Sequence, residues 1–140
     1  MKEFGPVMAE IWKTWGDTVS YPGGPISPLF LIESFQKLID NGTGRAYGLF
    51  SQDYPAGILL GMLVPDMMTG RLQGVEYLWA VDPAHRGIPS LQLLRRFEQD
   101  CADSHCEGIV AGFRDRSNDL EKIYDRRGYV PYGKSFFKAL

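Results

Sequence analysis

The sequence predicts an α/β protein in which about four helices flank a central mixed β-sheet. Two patterns carry this prediction. Apolar residues recur at helical spacing near the start of the chain and again in its second half, whereas the stretch from 46 to 81 has the apolar runs and turn residues of successive strands. A run of strands followed by strand–helix units is typical of a mixed sheet covered by helices. The 140 residues suit one domain, spanning 1–140.

Two helices are predicted at the start of the chain. The apolar stripe of the first helix indicates a core-facing surface rather than an aromatic ligand box, and it consists of Phe4, Val7, Met8, Ile11, Trp12 and Trp15. Pro and Gly residues over 21–25 then predict a loop. Ser27 and Pro28 are typical of a helix N-cap and first turn, and Asn41-Gly42 ends the second helix.

Three strands are predicted next, over 46–51, 56–64 and 74–81. Gly57 and Gly61, inside the second strand, indicate a bulge or a close approach of two backbones. The third strand is nearly all apolar, so we expect it to be buried on both faces.

The second half of the chain alternates between helices and strands. Its apolar spacing predicts a long helix after a loop at 82–89, then a strand over 108–113. The next helix, over 117–127, has acidic residues early, basic residues late and Gly128 at its end, as the helix dipole and C-cap geometry favour. The last predicted elements are two short strands, over 129–131 and 134–140.

Charge and composition exclude some function classes. The formal net charge of −2 gives no general attraction to nucleic acid or to an anionic membrane. No apolar run has the length of a membrane span, and the first residues lack the order of a signal peptide. We therefore expect a cytoplasmic protein with neither nucleic acid nor membrane as its partner.

The two cysteines, Cys101 and Cys106, fall on the predicted long helix. Five residues apart on a helix, they would point to different faces, which argues against a disulfide. His105 lies between them, but the spacing matches no standard zinc pattern, so we expect no metal site.

Two stretches resemble the GNAT superfamily of acyl-CoA N-acyltransferases. Residues 81–87 (VDPAHRG), with Leu94 on the helix beyond, resemble the strand–loop–helix unit that holds acyl-CoA. Residues 117–129 (SNDLEKIYDRRGY) resemble a later helix of that family. The element order agrees over roughly 27–140, and the family's first strand has no counterpart. The helix at 93–98 (LLRRFE) is also similar to that of short GNAT-like proteins, many of them encoded by bacteriophages.

The resemblance implies acetyl-CoA as the cosubstrate. Backbone N–H groups at a helix N-terminus make an anion site for its pyrophosphate, and an open strand edge can pair with its pantetheine arm. The implied cofactor-binding residues are Trp79 and Val81 through their backbones, with Arg86, Gly87, Ile88, Ser90, Leu91 and Ser117. Ser117 is also a candidate helix N-cap.

The phosphate loop departs from the family pattern. Alignment on Arg86 puts Pro89 and Leu91 where the family has two small residues. Proline has no N–H to give to a phosphate, and Leu91 has a side chain where close approach is expected. A shifted loop that uses Gly87 retains N–H groups at Ile88, Ser90 and Leu91.

Two residues are candidates for acid–base chemistry. Tyr124 aligns with the family's general acid, which protonates the departing thiolate; the alternative is a core tyrosine. Glu76 is the one carboxylate in an apolar strand, where desolvation would raise its pKa and make it a general base near neutral pH. The alternative for Glu76 is a rim residue paired with Arg71 or another cation.

Two functions therefore remain open. The first is an N-acetyltransferase that moves acetyl from acetyl-CoA to a primary amine of an unidentified acceptor, bound among the first two helices, the 21–25 loop and the last strands. The second is a catalytically inactive GNAT-like binding or structural protein, for example one encoded by a phage, which Pro89 and Leu91 favour. The sequence also leaves a homodimer open.

Overall fold

The computed structural model describes residues 3–15, 26–112, 119–133 and 135–140. The helices and strands of this part are, in chain order, α1 (Phe4–Trp15), α2 (Pro28–Asp40), β1 (Gly44–Ser51), β2 (Tyr54–Pro65), β3 (Leu72–Val81), α3 (Ile88–Asp103), β4 (Gly108–Val110) and α4 (Asp119–Arg126). A short 3-10 turn, Pro83–His85, joins β3 to α3. No helix within these described residues is both long enough and apolar enough to span a membrane.

The strands form one mixed sheet in the order β1-β2-β3-β4. The β1–β2 and β2–β3 pairs are antiparallel, whereas β3 and β4 are parallel. The parallel pair requires a crossover, and α3 supplies it. This architecture confirms the predicted α/β class with its mixed sheet and flanking helices.

Separate hydrophobic clusters cover the two faces of the sheet. Helices α1 and α2 pack on one face, where the buried residues are Met8, Ile11, Phe35, Ile58, Leu60 and Ala80. Helices α3 and α4 pack on the other, where the buried residues are Leu59, Leu63, Val81, Leu93, Leu94, Phe97, Cys101 and Tyr124. Neighbouring residues of β2 and of β3 therefore belong to opposite clusters, which confirms that β3 is buried on both faces.

A β-bulge interrupts the β2–β3 pairing at Tyr77. Leu60 pairs with Leu78 and Gly61 pairs with Glu76, so Tyr77 is the extra residue. The Tyr77 ring contacts Phe35 of α2, with 6.2 Å between ring centroids. The bulge reverses the alternation of side chains along β3, because one added residue shifts the two-residue period by one.

The glycines of β2 have the roles that the sequence indicates. Gly61 lies opposite the bulge, and a Cβ atom there would be 2.5 Å from the Phe97 ring. A Cβ at Gly57 would lie 3.2 Å from the Val81 side chain. Both glycines permit close packing against a neighbouring element.

Strands β3 and β4 diverge soon after they begin to pair. Their pairing runs only from Gln73 opposite Gly108 to Val75 opposite Val110, whereas β3 continues to Val81. Strand β3 is therefore interior to the sheet, splays from β4 and is connected to it by α3. The splay leaves one backbone edge of β3 uncovered by β4.

The C-terminal segment differs from the prediction. Strand β4 ends at Val110 rather than at 113, and the described residues at 129–133 and 135–140 form no strand. The predicted final strands are therefore wrong. A strand needs an edge to pair with, and β4 provides only a three-residue one; Val130 and Tyr132, each 78% exposed, make no such pairing.

The expectation that Cys106 lies on the same helix as Cys101 is also wrong. Helix α3 ends at Asp103, and His105 adopts a φ of 59° that turns the chain back. The N–H of Cys106 then donates to the carbonyl of Cys101 at 2.9 Å, and the Cys106 thiol, after burial, helps to raise the pKa of the Cys101 thiol. Both cysteines are free thiols. Within the described residues, no three potential metal ligands cluster together.

The contact at Gly61 predicts a sharp steric sensitivity. We expect Gly61→Ala to lower the free energy of unfolding by about 1–3 kcal/mol, because the added methyl overlaps the buried Phe97 ring. Gly108→Ala is the matched control, since a Cβ at that strand glycine meets no atom of the described residues within 4 Å. Urea denaturation of both variants measures the difference, and equal stabilities would show that the β2–α3 contact is loose.

Candidate active site

Glu76 lies buried in β3, with only 8% of its surface exposed. One carboxylate oxygen, Oε2, accepts a hydrogen bond from the Tyr124 hydroxyl at 3.1 Å and another from the backbone N–H of Gly112 at 3.2 Å. Arg71 pairs instead with Glu107, at 3.8 Å. The alternative of a rim glutamate paired with Arg71 is therefore wrong, and the two candidate acid–base residues lie in direct contact.

This contact forms where β4 leaves β3. Beyond Val110 the β4 backbone no longer pairs with the β3 backbone. The N–H of Gly112 donates to Glu76, and its carbonyl lies 3.3 Å from the Tyr124 hydroxyl, which can direct its one proton to this carbonyl or to Glu76. Two side chains thus satisfy backbone groups that an unsplayed sheet would have paired, as a partly buried backbone requires.

The position of Tyr124 is fixed by the end of α4. Gly128 adopts a φ of 85°, and Tyr129 N–H donates to the carbonyl of Tyr124 at 3.0 Å, while Gly128 N–H donates to that of Asp125 at 3.1 Å. These bonds form a Schellman motif, and the Tyr124 and Tyr129 rings pack with their centroids 5.3 Å apart. Gly128 therefore ends the helix, as the sequence predicts.

An ion pair ties the same helix end to α3. Arg127 donates to Glu98 Oε1 from Nε at 2.8 Å and from a terminal guanidinium nitrogen at 2.6 Å. The Tyr129 hydroxyl donates to the other oxygen of Glu98 at 3.4 Å. Because Tyr129 packs on Tyr124, these contacts restrict the Tyr124 ring as well.

The burial of the pair changes its acid–base properties. Desolvation raises the pKa of Glu76 from an ordinary 4.5 to about 7, although the hydrogen bonds from Gly112 and Tyr124 lower it in part. Burial, followed by the charge of Glu76, raises the pKa of Tyr124. Near neutral pH, Glu76 can therefore either hold or accept a proton, whereas Tyr124 remains a proton donor.

Trp79 adds a buried donor beside the pair. The bulge at Tyr77 puts Trp79 on the same face as Glu76, and the Trp79 and Tyr124 ring centroids are 6.2 Å apart. The indole N–H of Trp79 is buried and has no hydrogen-bond acceptor among the residues that the structure describes. Buried donors normally have a partner, so this indole N–H is an exception among the described residues.

The open edge of β3 carries the backbone groups of Trp79 and Val81. The N–H of Asp82 donates to Ala56 of β2 at 2.8 Å, and successive residues of a strand point their backbone groups to opposite sides. Trp79 and Val81 therefore point theirs away from β2, toward the gap. Nε of Arg86 donates to the carbonyl of Val81 at 3.3 Å, so Arg86 folds back over this edge.

The N-terminus of α3 offers fewer donors than the sequence suggests. The N–H of Leu91 donates to the carbonyl of Gly87 at 3.2 Å, so the expectation that Leu91 supplies a free N–H is wrong. Gly87 is the N-cap at a φ of 121°, and its N–H is held by the Ser90 hydroxyl at 3.3 Å. Since Pro89 has none, the unpaired N–H groups in this part of the described chain belong to Ile88 and Ser90.

A polar cluster that the sequence did not reveal supports this loop. Asp82 accepts from the Tyr54 hydroxyl at 3.0 Å and from Ala84 N–H at 3.1 Å, and His85 Nδ1 lies 3.4 Å from it. The Ala84 N–H is the main reason that the pKa of Asp82 is lowered. An Asp before a Pro favours a turn, but nothing in the sequence links Asp82 to Tyr54 on another strand.

Two expected parts of the site lie outside the described residues. They are Ser117, a candidate for cofactor binding, and the 21–25 loop, expected to border the acceptor.

Comparison with solved structures identifies the fold. The chain is similar to a ribosomal-protein-alanine N-acetyltransferase from Brucella melitensis biovar Abortus 2308 (TM-score 0.71, 15% identity, 99% of this chain and 96% of that one). It is similar to an acetyltransferase from Trypanosoma brucei (TM-score 0.72, 15% identity, 99% of this chain and 96% of that one). It is also similar to an aminoglycoside acetyltransferase from an uncultured soil sample (TM-score 0.69, 16% identity, 97% of this chain and 89% of that one). No protein-family model and no curated protein matches the chain.

Buried Glu76 predicts that stability depends on pH. A carboxyl whose pKa is raised by folding stabilises the folded protein at low pH. This contribution to the free energy of unfolding is lost as the pH rises from the unfolded pKa to the folded one, here from 4.5 to about 7. We expect the stability of Glu76→Gln, relative to the native chain, to increase by about 2–3 kcal/mol between about pH 5 and pH 8.

Chemical denaturation at both pH values measures this change. Glu107→Gln is the control, because Glu107 is an exposed member of a surface ion pair, and its effect should be small at both pH values. A constant difference between Glu76→Gln and the native chain would mean that Glu76 is not desolvated.

Proposed function

We propose that this chain, which has the fold of the GNAT acetyltransferases, is an N-acetyltransferase that moves an acetyl group from acetyl-CoA to a primary amine. The observation that carries the proposal is the Glu76–Tyr124 pair at the divergence of β3 and β4. A carboxylate able to accept a proton near neutral pH lies there beside a phenol that can donate one. The transfer needs both operations.

The open edge of β3 suits the amide-rich arm of acetyl-CoA. In the described part of the chain, β4 leaves Trp79 and Val81 unpaired on this side, so their backbone groups can bond to an added extended chain. Arg86 bonds to the Val81 carbonyl and would have to release it. The same guanidinium could then hold a phosphate, which it binds more strongly than a neutral carbonyl.

The N-terminus of α3 suits the pyrophosphate, with a reduced set of donors. Ile88 and Ser90 supply N–H groups, and the helix dipole favours negative charge there. Gly87 contributes an open approach, since no atom of the described residues lies within 4 Å of the position of a Cβ. The missing N–H of Pro89 implies weaker binding of acetyl-CoA than a full set would give, not loss of the site.

Glu76 and Tyr124 are proposed as the general base and the general acid. Glu76 would take the proton that the amine nitrogen loses as it attacks the thioester, and Tyr124 would protonate the departing thiolate. The buried indole N–H of Trp79 is a candidate donor to the oxygen on which negative charge develops. Each group lies on the α3–α4 side of the sheet.

The acceptor is proposed only as a primary amine. The solved proteins that share the fold include one named for ribosomal-protein alanine and another named for aminoglycosides, so the fold accommodates different acceptors. Phe30 and Tyr77, 72% and 53% exposed, lie on the α1–α2 side. The alternative of a non-catalytic GNAT-like protein is favoured by Pro89 and is separated by the binding experiment below.

Pro89 provides the sharpest test of acetyl-CoA binding. We expect Pro89→Ala to tighten binding by about tenfold to a hundredfold, because the restored N–H adds one charge-assisted hydrogen bond to a phosphate. Titration calorimetry measures the affinity. Pro83→Ala is the matched control, since Pro83 lies in the neighbouring 3-10 turn rather than at the helix N-terminus.

Two outcomes would contradict the proposal. If neither the native chain nor Pro89→Ala binds acetyl-CoA at millimolar concentration, the chain has no acyl-CoA site and the non-catalytic alternative stands. If Pro89→Ala binds no tighter than the native chain, the pyrophosphate is not held at the N-terminus of α3.

A further inference from the structure

The end of α3 is a Schellman motif that brings the two cysteines of the chain together. His105 adopts a φ of 59°, and its N–H donates to the carbonyl of Ala102 at 3.1 Å. The N–H of Cys106 donates to the carbonyl of Cys101 at 2.9 Å. In this motif the side chains of the outer pair commonly pack against each other. Cys101 is buried in the cluster under α3 and α4, and Cys106 packs against the same cluster, so the two thiols lie side by side.

The outer hydrogen bond also limits the distance between the two Cα atoms. The 2.9 Å contact and the standard backbone lengths on either side of it allow Cys101 and Cys106 a Cα–Cα separation of at most about 6.8 Å. Disulfides usually join Cα atoms about 4.4–6.8 Å apart. The Cys101 sulfur is held against β3, because a Cβ on Gly74 would overlap it. The pair therefore meets the distance requirement for a disulfide without a rearrangement of the helix end.

We propose that Cys101 and Cys106 form a redox-active pair, which a low-molecular-weight disulfide such as glutathione disulfide oxidises to one intramolecular disulfide. The structure holds both cysteines as free thiols, which is the reduced state of this pair. The sequence contains no third cysteine, so this is the one disulfide that a single copy of the chain can form. The inference goes beyond acetyl transfer and does not depend on it.

The exposure of the two thiols sets the order of the exchange steps. Cys101 is 1% exposed, whereas Cys106 is partly exposed. The Cys106 thiolate attacks one sulfur of the external disulfide, whose other half leaves and takes up the proton that Cys106 lost. Cys101 then loses its proton and attacks the Cys106 sulfur, and the second half leaves with that proton. The two cysteines lose two electrons and two protons, and the external disulfide gains them as two thiols.

The surroundings of Cys101 favour the disulfide over the two thiols. Burial, and after it the neighbouring Cys106 thiol, raises the pKa of Cys101 to about 12; Asp100 adds to the rise and Arg45 opposes it. A disulfide is strongly oxidising when its reduced form is stabilised, for example as a low-pKa thiolate. Cys101 has no such stabilisation, so we expect the disulfide to persist. The same high pKa slows the second step, so a mixed disulfide on Cys106 should appear first.

A redox titration of the folded chain tests this pairing. The chain is equilibrated in glutathione buffers of increasing oxidised fraction, the thiols are blocked, and intact-mass spectrometry measures the loss of two hydrogens. We expect the equilibrium constant for the intramolecular disulfide to be at least about tenfold larger in the folded chain than in the same chain unfolded in urea, because folding raises the effective concentration of one thiol near the other. An equal or smaller constant in the folded chain would overturn the proposal.

Two single variants test the order of the steps. Cys101→Ala keeps the accessible thiol, so it should stop at one glutathione adduct, on Cys106. Cys106→Ser keeps only the buried thiol, so its adduct should form at least about tenfold more slowly than that of Cys101→Ala. Circular dichroism establishes that both variants are folded. Equal rates of modification would show that Cys101 is as accessible as Cys106 and would contradict the proposed order.

Discussion

The structure around the candidate site depends on how the backbone of Gly112 is satisfied where two parallel strands separate. A sheet can splay only if the polar groups that lose their ladder partners find others. Here the carboxylate of Glu76 takes the N–H of Gly112, and the hydroxyl of Tyr124 gives to its carbonyl. The Tyr124 hydroxyl also lies 3.1 Å from Glu76, so its one proton can go to either acceptor, and the carboxyl and the phenol meet at the edge of the gap.

The bulge at Tyr77 decides which side chains can meet in that gap. Without the extra residue, Glu76 and Trp79 would point to opposite faces of β3, because their separation is odd. The bulge puts both on the face covered by α3 and α4, while Tyr77 packs toward Phe35 on the other face. Bulges commonly redirect side chains in this way beside functional sites. Gly61, opposite the bulge, leaves room for Phe97 to support the same region.

The loop between β3 and α3 combines firm structural support with few unpaired N–H groups at the start of α3. Asp82 anchors its start to Tyr54, and the Ser90 hydroxyl bonds to both backbone groups of Gly87 at its end. The helix N-terminus therefore keeps a defined geometry although Pro89 removes one donor. If this is the proposed acetyl-CoA site, its few donors favour a ligand that brings other contacts, such as backbone pairing along β3.

The sequence by itself determined the features that depend on neighbouring residues. The structure confirms the helices that helical spacing predicts, the N-cap at Ser27 and the helix end at Gly128. Caps and periodicity act within a turn or two of the chain, so local sequence is enough to predict them. It also indicated Glu76, as the one carboxylate in an apolar strand, and Tyr124, through the resemblance of its helix to one of the GNAT family. Only the tertiary structure decided that these two, 48 residues apart, bond to each other, that Cys106 folds back on Cys101, and that the final segment forms no strand. Such contacts depend on where β4 diverges and α3 ends, and long-range packing sets both, so no local pattern can encode them.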